Sequence, residues 1–172
     1  PMKKQLILIQ VFILCIVLIS YSQNNSDSPA KYKHNIGAAA GFTTGYGISY
    51  RYWPQKYGVQ ATFAPYIDQS TTQFSAGLVF LYKLKSFKKS NFFLYQGNHL
   101  FYDKYTSFHY LTGLPDIDQW GRQFHGLGFG FEILFLQKLS LNLMGGYMTS
   151  RYLEDKTWLV NMTGEIGLYY QF

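Results

Sequence analysis

The sequence predicts an all-β protein: an eight-stranded antiparallel up-and-down transmembrane β-barrel preceded by a cleavable signal peptide. Three observations carry this expectation. First, the C-terminal stretch alternates with a period of two. Trp158, Val160, Met162, Gly164, Ile166, Leu168, Tyr170 and Phe172 share one face, with Leu159, Asn161, Thr163, Glu165, Gly167, Tyr169 and Gln171 on the other. That period separates the two sides of a β-strand, and aromatics at both ends of an aliphatic face fit a strand crossing a bilayer. Second, aromatic residues make up 20% of the chain and charged residues only 14%, against about 25% charged in ordinary soluble domains. Beyond residue 22 there is no uninterrupted apolar run of the length a helical span requires,. Third, Lys3 and Lys4 precede the apolar run Leu6–Ile19, broken by Gln10 and followed by Ser20 and Ser22. Positive, apolar and small-residue regions in that order mark a secretory signal.

These features divide the chain into a signal peptide at 1–22, a flexible lead at 23–33 and a barrel domain at 34–172. Cleavage is expected near Ser22–Gln23. The one cysteine, Cys15, lies inside the apolar run, so the mature chain has no thiol for a disulfide or a thiolate metal site. Its place mid-run, rather than at the end, argues against lipidation. Without Lys3 and Lys4, 13 basic residues face 9 acidic ones. That modest surplus is no nucleic-acid signal.

The expected strands follow in order. The first, about 34–42, sets Ile36, Ala38, Ala40 and Phe42 against Asn35, Gly37, Ala39 and Gly41, and Thr43-Thr44-Gly45 makes a short turn. The second, about 46–53, sets Ile48, Tyr50 and Tyr52 against Ser49, Arg51 and Trp53. The third, about 57–67, contains Pro65, which should lie near a rim or bulge because proline cannot donate to a ladder. The fourth, about 73–84, alternates Phe74, Ala76, Leu78, Phe80 and Tyr82 with Ser75, Gly77, Val79 and Lys83. The fifth, about 91–102, has a less regular pattern. The sixth, about 123–135, sets Leu127, Phe129, Phe131 and Ile133 against Gly126, Gly128, Gly130 and Glu132. The seventh runs about 139–149 and the eighth about 158–172. These lengths suit a tilted membrane strand of roughly 9–11 residues, and barrel closure leaves no unpaired edge in lipid.

Barrels of this type have short periplasmic turns and longer extracellular loops. With both barrel termini periplasmic, the outer connections are 43–45, 68–72, 103–122 and 150–157, and the inner turns are 54–56, 85–90 and 136–138. Asp103, Asp116, Asp118, Glu154 and Asp155 then fall outside, and Lys56, Lys85, Lys88, Lys89 and Lys138 inside.

Over residues 34–172 the chain resembles the OmpA/OmpX-type family of small outer-membrane β-barrels of Gram-negative bacteria. The resemblance rests on the signal peptide, the alternating strands, the stretch GFGFEILF followed by a short turn and LSLNLMGGY, and the terminal Tyr170-Gln171-Phe172. It implies location in the bacterial outer membrane, contact with lipid and lipopolysaccharide, and recognition of Phe172 by the outer-membrane assembly machinery. The pattern is specific for architecture, and fold alone does not fix function.

Two regions are candidates for chemistry. An eight-stranded barrel is just wide enough for side chains to fill, and Arg51, Lys83, Glu132 and Glu165 all point inward on this reading. Buried charges are costly unless paired, so they are expected to form an ion-pair network plugging the lumen; the alternative is a narrow gated ion path. The outer connection 103–122 holds Asp103, Ser107 and His109, the residue types of a hydrolase such as a lipid A deacylase or acyltransferase. Such catalysis needs nucleophile and base within hydrogen-bond reach. The alternative is a solvated loop with girdle aromatics Phe108, Tyr110 and Trp120 that contacts a surface ligand or partner protein. His99 and His125 are expected at the interface near the outer strand ends. Asp116 and Asp118 lack an EF-hand frame, and Gly126-Leu127-Gly128-Phe129-Gly130 is a strand pattern rather than a nucleotide fingerprint. No metal, cofactor or nucleic-acid partner is expected. The leading reading is a non-enzymatic envelope protein with a structural, surface-contact or accessory role, ahead of a rim-located lipid A-modifying enzyme, a small channel or porin, and a soluble lipocalin-like barrel.

Overall fold

A computed structural model describes residues 32–108, 115–154 and 157–172. The signal peptide expected at 1–22 and most of the lead at 23–33 lie outside the described residues. The elements are β1 (His34–Gly41), β2 (Gly45–Tyr52), β3 (Tyr57–Ile67), β4 (Thr71–Ser86), β5 (Ser90–Phe108), β6 (Pro115–Leu134), β7 (Leu139–Tyr152) and β8 (Leu159–Gln171). Each strand pairs antiparallel with its sequence neighbour, and the sheet closes into a barrel in the order β1 to β8.

Closure is made by β1 and β8, from Asn35–Gln171 to Gly41–Glu165. The seam is extended at its base by hydrogen bonds from the His34 amide to the Phe172 carbonyl (3.3 Å) and from the Phe172 amide to the His34 carbonyl (2.8 Å). Small residues allow the seam. A Cβ on Gly37 would run into the Leu168 carbonyl across it.

Period two decides what faces where. Ile48, Val160 and Met162 are 72%, 70% and 74% exposed on the outer wall. Arg51, Gln60 and Asn142 are fully buried in the lumen. The barrel thus carries largely apolar side chains outside, while its interior mixes polar and charged groups with an apolar cluster of Trp53, Val79, Leu81, Phe93, Tyr95 and Met144.

The connection expected at 103–122 is corrected. Residues 103–108 and 115–122 are strand, paired from Asp103–Trp120 up to Phe108–Pro115, so the two halves form a hairpin. β4 stops pairing at Thr71–Tyr105 and β7 at Arg122–Tyr152. Among the described residues, β6 from Pro115 to Trp120 is therefore paired with β5 alone, with Trp120 packed on Tyr152 at 6.0 Å. Pro65 sits above Ile48–Phe63, the last β2–β3 pair. There β3 has a partner only in β4, where it pairs in register with Phe74, and a one-sided edge tolerates proline.

Replacing Gly37 by Val should break the β1–β8 seam. Overpacking of this kind costs roughly 1–3 kcal/mol, and here the obstacle is backbone, which cannot yield. Urea unfolding of the detergent-folded variant should show a lowered midpoint, or no folded fraction at all. An unchanged midpoint would contradict the packing described.

Candidate functional site

The lumen holds two separate constrictions. The end of the barrel that carries His34 and Phe172 is here the terminal end, and the opposite one the loop end.

Near the terminal end, Arg51 Nη1 donates to Glu132 Oε1 at 3.2 Å. Its Nε and Nη2 both donate to Gln60 Oε1, at 3.1 and 2.6 Å. The guanidinium also lies 4.3 Å from the centre of the Tyr169 ring, a cation–π arrangement. Glu132 accepts further bonds from Ser140 Oγ at 3.3 Å and Asn91 Nδ2 at 2.7 Å. Beside the pair, Trp53 meets Phe93 edge to face at 5.1 Å. A buried ion pair persists only when its remaining hydrogen-bonding capacity is also met, and here strands β2, β3, β5, β6 and β7 all contribute.

Of the four charges singled out from sequence, the structure brings Arg51 and Glu132 into direct contact, sets Lys83 beside that pair across the Trp53 ring without a direct ion pair, and places Glu165 elsewhere. Lys83 Nζ stands 4.7 Å over the Trp53 ring. Glu165 lies toward the loop end, where Oε1 accepts from Tyr95 Oη at 3.3 Å, from Thr163 Oγ1 at 3.2 Å and from Thr43 Oγ1.

That last partner belongs to a feature the strand pattern does not reveal. The β1–β2 turn folds into the barrel mouth, so that Thr43 and Thr44 are fully buried. Gly45 turns the chain with φ of +75°, a conformation for which glycine is the default. The space is made by inward glycines on three other strands. A Cβ on Gly77 would meet the Thr44 carbonyl, and one on Gly97 or Gly126 would meet Thr43. Both flanks of the turn are latched to the wall. His99 Nδ1 donates to the Phe42 carbonyl at 2.8 Å. That bond places the imidazole proton on Nδ1 and leaves Nε2 to accept from Ser75 Oγ at 2.9 Å. Ser75 Oγ in turn accepts the Tyr46 amide at 3.1 Å.

His99 is therefore corrected from the interface to the lumen, where it is buried and stacked on Phe124 at 5.1 Å. His125 does point outward and is exposed. Ser75 and His99 are within the reach that nucleophile activation requires. Yet Ser75 is fully buried beneath the turn, and the second histidine nitrogen binds a backbone carbonyl instead of an acid. The contact is a latch, not a catalytic dyad.

At the rim, Asp103 accepts from Gln73 Nε2 at 3.2 Å. His109 lies outside the described residues, as does Tyr110, and Ser107 is placed only by its backbone pairing with Asp116. No cluster of metal-ligating side chains occurs among the described residues. The parity of β5 was the available signal for His99, since it shares a face with Phe93, Tyr95 and Gly97.

No family model matches the chain, and no curated protein does. Solved structures similar to it include three barrels. The N-terminal β-barrel domain of Pseudomonas aeruginosa OprF is 15% identical with a TM-score of 0.47, over 81% of this chain and 95% of that one. Neisserial surface protein A is 15% identical with a TM-score of 0.43, over 81% and 94%. Ail, the attachment invasion locus protein of Yersinia pestis, is 16% identical with a TM-score of 0.44, over 81% and 96%.

Two outcomes test the lumen. Glu132→Ala leaves Arg51 buried without its counter-charge, which costs about 3–5 kcal/mol; the double variant Arg51→Met with Glu132→Leu should recover most of that loss in urea titrations. If the single and double variants are equally unstable, the ion pair is not what the carboxylate serves. Separately, a cysteine placed at Thr44 should resist maleimide labelling, and Gly77→Leu should expel the turn and make the same cysteine reactive.

Proposed function

We propose that the chain is a small integral protein of the bacterial outer membrane, with both ends of the barrel sequence periplasmic and a structural or surface-contact role instead of transport or catalysis. One observation carries this reading: an apolar outer wall surrounds an interior filled at two levels, by the Arg51–Glu132 pair with its aromatic neighbours and by the buried β1–β2 turn. Outward rings of Tyr50, Tyr52, Tyr57, Tyr82 and Tyr170 near one end, and Phe74, Tyr102 and Trp158 toward the other, fit the aromatic girdles of a bilayer-spanning barrel. Lipid and lipopolysaccharide are then its immediate surroundings, and Phe172 is its assembly signal. No cofactor or metal enters this reading.

The contact surface in this proposal is the β5–β6 hairpin. It overhangs the barrel with Tyr105 and Ile117 exposed, and the β6 edge above Gly121 is free of β7. An exposed edge accepts an extended segment through main-chain hydrogen bonds, so a partner protein or host surface ligand is expected there. The closed lumen weighs against a porin, and the carboxylate of Asp103 is already engaged by Gln73.

The protein should require detergent to stay in solution and migrate faster on gels unheated than boiled, and planar bilayers should record no unitary conductance. An epitope inserted at residues 111–113 should be accessible on intact cells, and a C-terminal one only after permeabilisation. A folded, detergent-free monomer would overturn the membrane reading. Replacing residues 104–119 by a two-residue turn should preserve gel mobility behaviour and abolish whole-cell attachment if the hairpin is the contact surface.

A further inference from the structure

The outer wall is apolar except on one side. In β5 the outward series runs Phe92, Leu94, Gln96, Asn98, Leu100 and Tyr102. Phe92 stacks on Phe129 at 5.7 Å below, and Tyr102 stacks on Phe74 at 5.4 Å above. Gln96 and Asn98 thus sit between the two aromatic rows, and His125, level with Asn98, reaches the upper row by meeting Trp158 at 5.6 Å. Across the strand, Asn98 pairs with His125. The corresponding outward positions on β8 are Val160, Met162, Ile166 and Leu168, so the polar set lies on β5 and β6 and continues upward onto β7 through Thr149 and Arg151, which pair with His125 and Gln123.

Within the set the groups bind one another. Gln96 Nε2 donates to Asn98 Oδ1 at 3.0 Å, and Asn98 Nδ2 donates to Gln96 Oε1 at 3.1 Å. His125 Nδ1 lies 2.9 Å from Asn98 Oδ1. Because that oxygen only accepts, the neutral imidazole carries its proton on Nδ1 and a lone pair on Nε2,. Asn98 Nδ2 keeps a second hydrogen. One unused donor and one unused acceptor therefore stand side by side on a lipid-facing wall, where an unmet polar group is expensive. Asn98 and His125 themselves line a shallow groove of about 290 Å³, together with Ala76, Gly77, Leu78, Leu100 and Gln123.

We propose that this wall is a lateral interface in the membrane that binds a second copy of the same chain across a two-fold axis. The reason for choosing a second copy is the pairing itself. In an isologous interface, residue i meets j while j meets i. Asn98 Nδ2–H of one protomer then donates to His125 Nε2 of its partner, and the reverse bond forms by symmetry. The groove over Ala76 and Gly77 lets the walls approach, as small residues do between packed membrane segments. A fatty acyl chain would fill the groove but would leave both polar groups unmet.

The inference rests on the membrane reading above, and the test separates the two. Leu100→Cys places a thiol beside the proposed axis, and Leu168→Cys places one on β8; the described residues hold no native cysteine. Both proteins are reconstituted at low density in phosphatidylcholine vesicles, checked for heat-modifiable mobility, and oxidised. Leu100→Cys should yield a disulfide-linked dimer and Leu168→Cys should not. Adding Asn98→Leu to Leu100→Cys should lower the dimer yield by about tenfold, the effect of losing two weak membrane-facing hydrogen bonds. His125→Leu should do the same, and both should keep the folded mobility. Equal yields from the two cysteine positions, or no loss with Asn98→Leu, would overturn the proposal while leaving the membrane reading intact. Failure of all variants and the parent to fold in detergent or vesicles would instead sink the membrane reading.

Discussion

Closure of the sheet between β1 and β8 is the constraint on which the remaining features depend. An open eight-stranded sheet would leave two rows of backbone donors and acceptors without partners, and no lipid or apolar surface can supply them. Closing it requires the first strand to lie tightly against the last, which is why Gly37 faces the Leu168 carbonyl where a side chain would collide. Once the ring is shut, its interior is a fixed volume that the inward side chains must fill. The dense packing of Arg51, Tyr95, Phe93 and Tyr169, all buried, is a consequence of that volume.

The two halves of the lumen meet this demand by different means. At the terminal end, large side chains converge, and the charge of Arg51 is matched by Glu132 and spread over Gln60 and the Tyr169 ring. Toward the loop end, β4, β5 and β6 carry glycines instead, and the β1–β2 turn fills the space they leave. The alternation of large and small inward residues is therefore complementary to the chain's own loop. Glu165 ties the two arrangements together, because Tyr95 from the wall and Thr43 from the turn both donate to the same oxygen.

Where side chains alternate between lumen and apolar wall, the sequence was readable. β3 spans Tyr57–Ile67 as expected, and β4, β7 and β8 differ from expectation by a few terminal residues. Legibility failed for identifiable physical reasons. Above the apolar belt the β5–β6 hairpin carries Lys104, Asp118 and Gln119. With water on both faces nothing selects alternation, although the backbone ladder continues. β5 looked irregular because Gln96 and Asn98 invert the pattern, polar outward while Phe93 and Tyr95 point inward. That inversion also hid the inward direction of His99. The turn at Thr43-Thr44-Gly45 was legible in length but not in direction, since folding inward depends on glycines from three strands distant in sequence.

The same inversion explains why the candidate site did not coincide with the residues richest in chemistry. Inside the barrel many polar groups are committed, although both amide atoms of Asn142 and Oε2 of Glu165 have no side-chain or backbone partner. Ser75 serves the Tyr46 amide, His99 the Phe42 carbonyl, and Glu132 the guanidinium of Arg51. Such commitment stabilises a closed lumen, and a closed lumen moves recognition to the outside of the barrel. There, polar groups with capacity left over are informative because so few occur on an apolar wall. An exposed leucine on that wall satisfies its surroundings at no cost, whereas an amide or imidazole does so only by finding a partner. The unspent donor of Asn98 and acceptor of His125 thus mark a direction in which the barrel is incomplete, and the hairpin edge above Gly121 marks another.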